Sequence, residues 1–186
     1  MSAPSSAQPF SARTAVRGLV RPAVRLTREI PPRLRLINQT GRGPLAVFLP
    51  AYGPEGAALL RIYAVARALR PLGWRTLVLP WKLTLHQRHR LLAAAAPSLL
   101  VMQGARHELN RPALYPGYPI VFDMDDADFH LPHLSAPVRR AMPDVAAVIA
   151  GSVYVADWCR AAGAREAHVV WTGAPVSPGP TPPQAG

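Results

Sequence analysis

The sequence predicts an α/β domain, doubly wound, in which helices cover both faces of a mostly parallel sheet of about six strands. Three observations predict this class. Short apolar runs alternate along the chain with longer segments of helical periodicity. The apolar runs are continuous rather than alternating, which is typical of strands that are buried on both faces. Clusters of Gly and Pro separate the two kinds of segment.

Each element follows from the local pattern of apolar residues. The continuous apolar runs predict strands at residues 45–49, 76–79, 99–102, 119–122, 146–150 and 168–171. Apolar side chains recur every three or four residues, and Pro or Gly follows, at the expected helices 57–69, 83–96 and 152–162. Together these elements form a Rossmann-like domain over residues 45–174.

Positive charge is concentrated in an N-terminal arm, residues 1–44. The chain of 186 residues carries a net charge of +11, but the arm holds eight Arg and one acid, so it contributes +7 and the body only +4. Arg recurs every four residues beside an apolar stripe, which is typical of a basic amphipathic segment. We expect residues 13–35 to contact an anionic membrane surface, with a solvated arm as the alternative.

Several classes of protein are excluded by composition. The single cysteine, Cys159, cannot form an intrachain disulfide framework or a Cys-rich zinc site. It lies inside an expected helix, and we expect it to be part of the hydrophobic core rather than a nucleophile. No apolar run approaches the ~20 residues of a membrane span. No apolar h-region follows the start, so we expect no secretory signal. We expect a cytoplasmic protein that is peripheral on the inner face of the membrane. The weakly basic body argues against nucleic acid as a partner.

In doubly wound sheets, ligands bind beyond the carboxyl ends of the strands, so the residues that follow each expected strand are candidates for binding. They are Gly53, Glu55 and Gly56 after the first strand, Gln103, Arg106 and Asn110 after the third, Asp126 after the fourth and Ser152 after the fifth. Glycine lets the backbone approach a ligand, and a helix N-terminus attracts anions or hydroxyl groups. The alternatives are a plain strand-to-helix turn after the first strand and a helix N-cap at Ser152.

The loop after the third strand offers hydrogen-bonding side chains. Gln103, Arg106 and Asn110 are spaced to share one face of a helix and would suit sugar hydroxyls or phosphates. An HExxH zinc motif beginning at His107 would need His where the sequence has Arg111, so we expect no metal there. Neither GxGxxG nor a phosphate loop follows the first strand, which disfavours a dinucleotide site.

A run of acidic residues follows the fourth strand. Asp123, Asp125, Asp126 and Asp128 would repel one another, so they need a cation, bound hydroxyl groups or nearby arginines. Three interpretations remain open: a Mg²⁺ site, a general base or substrate-orienting carboxylate, and Asp side chains that cap the next turn. We take Asp123 and Asp125 as the catalytic candidates, without a metal.

A set of short motifs in a fixed order carries a family resemblance. They are the Gly-containing loop, Arg61-Ile62-Tyr63, residues 69–73, Gln103 with Arg106 and Asn110, residues 123–129, Gly151-Ser152-Val153-Tyr154 and Trp171-Thr172-Gly173. Over residues 45–178 the chain resembles the N-terminal half of B-type glycosyltransferases, most closely the family-4 group that acts on lipid or polysaccharide acceptors.

The resemblance implies an enzyme of two Rossmann-like domains with a cleft between them. The N-terminal domain would bind a sugar, lipid or polysaccharide acceptor, with Arg61 among its contacts, and the C-terminal domain would bind a nucleotide-sugar donor. Such enzymes usually work without a catalytic metal. Many carry a His after the fourth strand, near the acceptor, where this sequence has Asp125 or a neighbouring residue instead. A basic surface that faces the membrane is also common in the family.

The sequence departs from this pattern at its C-terminal end. The Pro-rich segment 175–186 resembles the start of an interdomain linker, so we expect that the donor domain is missing from this chain. We expect a truncated enzyme that binds no cofactor alone, shows no transferase activity by itself, and has a separate donor-domain chain as partner. The alternative is a non-catalytic α/β binding module that its basic arm tethers to a membrane or nucleic acid.

Overall fold

The computed structural model describes residues 42–173. Its centre is a six-stranded sheet in which every neighbouring pair of strands is parallel. The strands are β1 (Leu45–Leu49), β2 (Arg75–Val78), β3 (Leu99–Gln103), β4 (Ile120–Met124), β5 (Ala147–Ala150) and β6 (Ala167–Val169), in the order β2-β1-β3-β4-β5-β6. The predicted fold class is confirmed. The expectations for residues 13–35 and for the Pro-rich segment 175–186 lie outside the described residues.

Apart from four short 3-10 helices (Arg70–Leu72, Pro112–Leu114, Asp128–His130 and Met142–Asp144), the described chain has four helices. The first, α1, has three consecutive segments: α-helical Gly56–Ala58, π-helical Leu59–Ala64 and α-helical Val65–Ala68. The others are α2 (Leu85–Ala95), α3 (Pro132–Ala141) and α4 (Val153–Ala161). Within residues 42–173, no helix is long and apolar enough to cross a membrane.

The two faces of the sheet are packed unequally. On one face, which we call the covered face, Leu45, Val47 and Leu49 of β1 belong to the large core that includes α2, α3 and α4. The other residues of β1, Ala46 and Phe48, pack against α1 in a smaller core. We call this second face the partly open face. In a parallel sheet both faces are normally buried, whereas residues 42–173 cover this second face only in part.

Helix α3 was not predicted. Pro132 is the first residue of the helix, where an N–H would have no partner in any case. Leu134, Val138 and Ala141 are buried with the spacing of a helix face, and this periodicity outweighs the internal proline.

Candidate functional site

The crevice between β1 and β3 is where the strand order changes direction, the usual ligand position in such sheets. Here two amide side chains fill it. Gln103 Oε1 accepts a hydrogen bond from the Ala51 N–H at 3.0 Å. Asn110 Nδ2 donates to the carbonyl oxygens of Leu49 and Gln103, at 3.1 and 2.9 Å. Because Asn110 is fully buried, its amide joins two strand ends instead of facing solvent.

The prediction that Gln103, Arg106 and Asn110 share a helix face is wrong. Residues 104–111 form bends and turns without a helix, and tertiary contacts hold the Asn110 side chain in place. One such contact is the buried guanidinium of Arg88, which donates to Asn110 Oδ1 at 3.0 Å. Of the three predicted side chains, only that of Arg106 is substantially exposed.

We call residues 123–128, which hold the four predicted carboxylates, the acidic loop. It begins with a buried ion pair between Arg61 of α1 and Asp123 of β4. The Arg61 Nε lies 3.0 Å from both carboxylate oxygens, and Nη2 lies 2.6 Å from Oδ1. Burial raises the pKa of Asp123, and the opposing effect of Arg61 is smaller. Burial would lower the pKa of Arg61, but the hydrogen bond and charge of Asp123 outweigh it, so this guanidinium stays charged.

The same guanidinium reaches the segment that follows β6. Arg61 Nη1 donates to the carbonyl oxygen of Val170 at 3.0 Å and to Thr172 Oγ1 at 2.9 Å. Thr172 in turn donates to Asp125 Oδ1 at 2.6 Å, and Arg61 Nη1 lies 3.2 Å from that oxygen. The Asp125 side chain is 28% exposed, so its carboxylate is held from one side and open to solvent on the other.

A second arginine holds the rest of the acidic loop. Arg106 binds Asp128 through two nitrogens, with Nη2 2.7 Å from Oδ1, and the same Nη2 contacts Asp126. These carboxylates, with Asp128 first, raise the pKa of Arg106 against the effect of burial. Asp128 is buried, whereas Asp126 and Arg106 are exposed. Exposed charged groups of both signs therefore lie together at this edge.

The four carboxylates are thus compensated by two guanidinium groups. Nearby arginines, one of the expected ways to relieve their mutual repulsion, are observed. In the described part of the chain, no group of three or more His, Cys, Asp or Glu side chains is arranged to hold a metal ion.

The remaining predicted residues lie around this edge. Glu55 is the N-cap residue of α1, its side chain makes no capping hydrogen bond, and it is exposed. Gly56 begins α1 with a positive φ of 50°, and Gly53 lies in the preceding bend, near Trp81. Ser152 caps α4, as its Oγ accepts from the Val155 N–H at 3.2 Å, which confirms the N-cap alternative.

A shallow cleft of about 20 Å³ lies between the segment that follows β1, at Ala51 and Tyr52, and the acidic loop. Its lining includes Tyr52, Gln103, Arg106, Asp125 and Asp126. This volume corresponds to one or two water molecules, so a larger ligand would lie across the cleft and contact its exposed rim. The chemistry of the rim, carboxylates beside a guanidinium, suits hydroxyl groups.

Two residues of this network were not among the predicted site residues. Asp128 belonged to the acidic run, but its burial beneath Arg106 depends on the fold of the loop. Thr172 stood in the Trp171-Thr172-Gly173 motif after the last expected strand, but its link to Asp125 spans 47 positions. Position after a strand end was the available signal for both.

Comparisons with protein-family models, with curated proteins and with solved structures find no match to this chain.

Proposed function

We propose that the chain is the acceptor-binding half of a glycosyltransferase, which transfers a sugar from a nucleotide-sugar donor to a hydroxyl group of a lipid or polysaccharide acceptor. The observation that carries the proposal is the carboxylate of Asp125. It lies at the carboxyl edge of the sheet, is fixed by Thr172 and Arg61, and is open to solvent. A fixed, accessible carboxylate is what a general base for a hydroxyl group requires.

The surrounding residues have separate roles in this proposal. Both oxygens of Asp123 are bound by Arg61, so Asp123 positions the guanidinium and does not meet the acceptor. Arg61 in turn orients Asp125. The exposed side chains of Arg106 and Asp126 supply a donor and an acceptor for further hydroxyl groups. The donor nucleotide is bound by a second domain, as the resemblance implies.

The test is reconstitution of sugar transfer. The chain is mixed with a candidate donor domain, and transfer from a nucleotide sugar to an acceptor is measured. Asp125→Asn should lower the rate about 10²- to 10⁴-fold, since the amide cannot accept the proton. The matched control is Asp157→Asn, on the exposed surface of α4, which should leave the rate unchanged.

Two results would count against the proposal. Transfer by the isolated chain would show that no separate donor domain is needed, and full activity of Asp125→Asn would remove the assigned base. If the chain binds a sugar but no candidate donor domain gives transfer, the result would instead favour the non-catalytic binding module.

A further inference from the structure

An apolar groove runs along the partly open face of the sheet. It has a volume of about 360 Å³, within the range of small-molecule sites. Its floor is formed by side chains of β1, β3, β4 and β5, one wall by α1 and another by residues 170–173. Those that matter here are Trp74, Leu99, Val121, Ile149, Val170 and Trp171.

Among the helices of residues 42–173, only α1 packs on this face, and it leaves the groove uncovered beside it. Its buried residues Ile62 and Ala66 pack over β1, while Leu99, Val121 and Ile149 stay half-buried beyond them. At the rim, Trp171 is 71% exposed. Contiguous accessible apolar surface of this kind marks a site of binding in a folded protein.

One end of the groove is polar. Arg61, Asp123 and Thr172 line it there, and Asp123 also lines the cleft that contains Asp125 and Asp126. The apolar groove and the hydroxyl-binding edge therefore meet at a single side chain. A ligand that occupied both would need an apolar chain joined to a polar, hydroxyl-bearing head.

We propose that the groove binds the apolar chain of a single-chain amphiphile, an acyl or isoprenoid lipid, whose hydroxyl-bearing head lies at Asp125. The inference rests on the proposed function for the role of that head. It selects a lipid acceptor over a polysaccharide, because sugar hydroxyls placed against Val121, Ile149 and Leu99 would lose their hydrogen bonds to water. The groove would thereby position the head against the carboxylate.

The test uses the full chain and a series of n-alkyl glucosides, from hexyl to dodecyl, below their micelle-forming concentrations. Glucose serves as the head alone. Each added methylene should tighten binding about fourfold until the groove is full. A bromine on the last carbon should quench the fluorescence of Trp74 and Trp171, which line the groove, and substituting both by Phe should remove that quenching. Trp81 and Trp158 do not line it.

Variants test the location. Val121→Trp fills the floor of the groove and should weaken dodecyl glucoside about tenfold or more, as if two methylenes were left in water. Leu72→Trp is the matched control, because Leu72 is 73% exposed and outside the groove. Circular dichroism checks that each variant folds, and Ile149→Trp replaces Val121→Trp if that one does not.

Affinity that is independent of chain length, or unchanged in Val121→Trp, would overturn the inference while leaving the proposed function intact. Two other results would also overturn the inference. Dodecyl glucoside that binds only after Leu19→Asp in the basic arm would show that the arm occupies the groove. Binding that appears only when the protein is diluted would show that a second copy of the chain occupies it. Chain-dependent binding without transfer in the reconstituted assay would support the groove and count against the proposed function.

Discussion

Arg61 and Asp123 form a buried ion pair, with Nη2 2.6 Å from Oδ1, between residues that are 62 positions apart in the sequence. The pair joins α1, the helix that packs on the partly open face, to the carboxyl end of β4. Through Nη1 it also fixes Thr172, and through Thr172 the carboxylate of Asp125. A helix, a strand end and the segment after β6 are thus held by one guanidinium.

The first prediction concerns this pair. Arg61→Met leaves a buried carboxylate without its partner and should lower the free energy of unfolding by about 3–5 kcal/mol, as should Asp123→Leu. The double variant should recover most of the loss, because no unpaired charge remains. Urea unfolding of the four proteins measures the coupling, and single costs that simply add would contradict it.

The pH dependence of the stability loss in Arg61→Met tests the direction of the pKa shift of Asp123. Burial raises the pKa of Asp123, and Arg61 opposes that rise, so removing Arg61 should raise the pKa further. A carboxyl whose pKa is higher in the folded state favours folding below its unfolded pKa, and that contribution is lost as pH rises through the folded value. The deficit of Arg61→Met should therefore shrink on acidification, whereas a constant deficit would point to lost packing.

The second prediction concerns the contact between Gly151 and the acidic loop. A Cβ at Gly151 would lie 2.4 Å from the Asp125 carbonyl oxygen and 2.8 Å from Oδ1, closer than real contacts allow. Gly151→Ala should therefore displace the Asp125 loop and cost about 1–3 kcal/mol. The control is Gly173→Ala, where no atom lies within 4 Å of the new Cβ. Thermal unfolding of both variants tests this, and equal stabilities would show that the loop yields freely.

The third prediction concerns Arg106. Arg106→Gln removes the counterion of Asp128, which is buried, and should lower the free energy of unfolding by about 1.5–3 kcal/mol. Arg106→Lys keeps the charge but cannot make the two parallel hydrogen bonds, so it should restore only part of the lost free energy of unfolding. Arg160→Gln, in an exposed pair with Asp157, is the control and should change stability little. Full rescue by lysine would mean that charge alone matters.

The fold was more predictable than the site. Continuous apolar runs such as residues 45–49 are local signals, and all six strands begin and end within two residues of expectation. The carboxylates were expected at the correct sheet edge for the same reason. Their partners were not, because the pairing of Arg61 with Asp123 depends on how α1 packs. The spacing of Gln103 and Asn110 also fits a helix. The contacts that hold Asn110 in a loop, from Arg88 and to the end of β1, come from distant parts of the chain and are not visible in that spacing.

The fourth prediction concerns the thiol of Cys159, which is fully buried in α4, as its position in the sequence indicated. Burial raises its pKa to about 11, and the nearby charge of Arg160 opposes this only weakly. Native protein should therefore react slowly with iodoacetamide at pH 8, and unfolded protein quickly, since the thiolate is the reactive form. Fast labelling of the native chain would contradict its burial.

The same shift predicts a loss of stability in alkali. A thiol whose pKa is higher in the folded state contributes fully below its unfolded value, near 9, and that contribution is lost as pH rises through about 11. At 1.36 kcal/mol per pKa unit the loss is about 2–3 kcal/mol. Cys159→Ala should start less stable at pH 8, because it leaves a cavity, but should lose less between pH 9 and 11. Comparing the two urea-unfolding profiles cancels the groups that titrate in both proteins, and parallel profiles would mean that Cys159 ionises as readily in the folded chain as in the unfolded one.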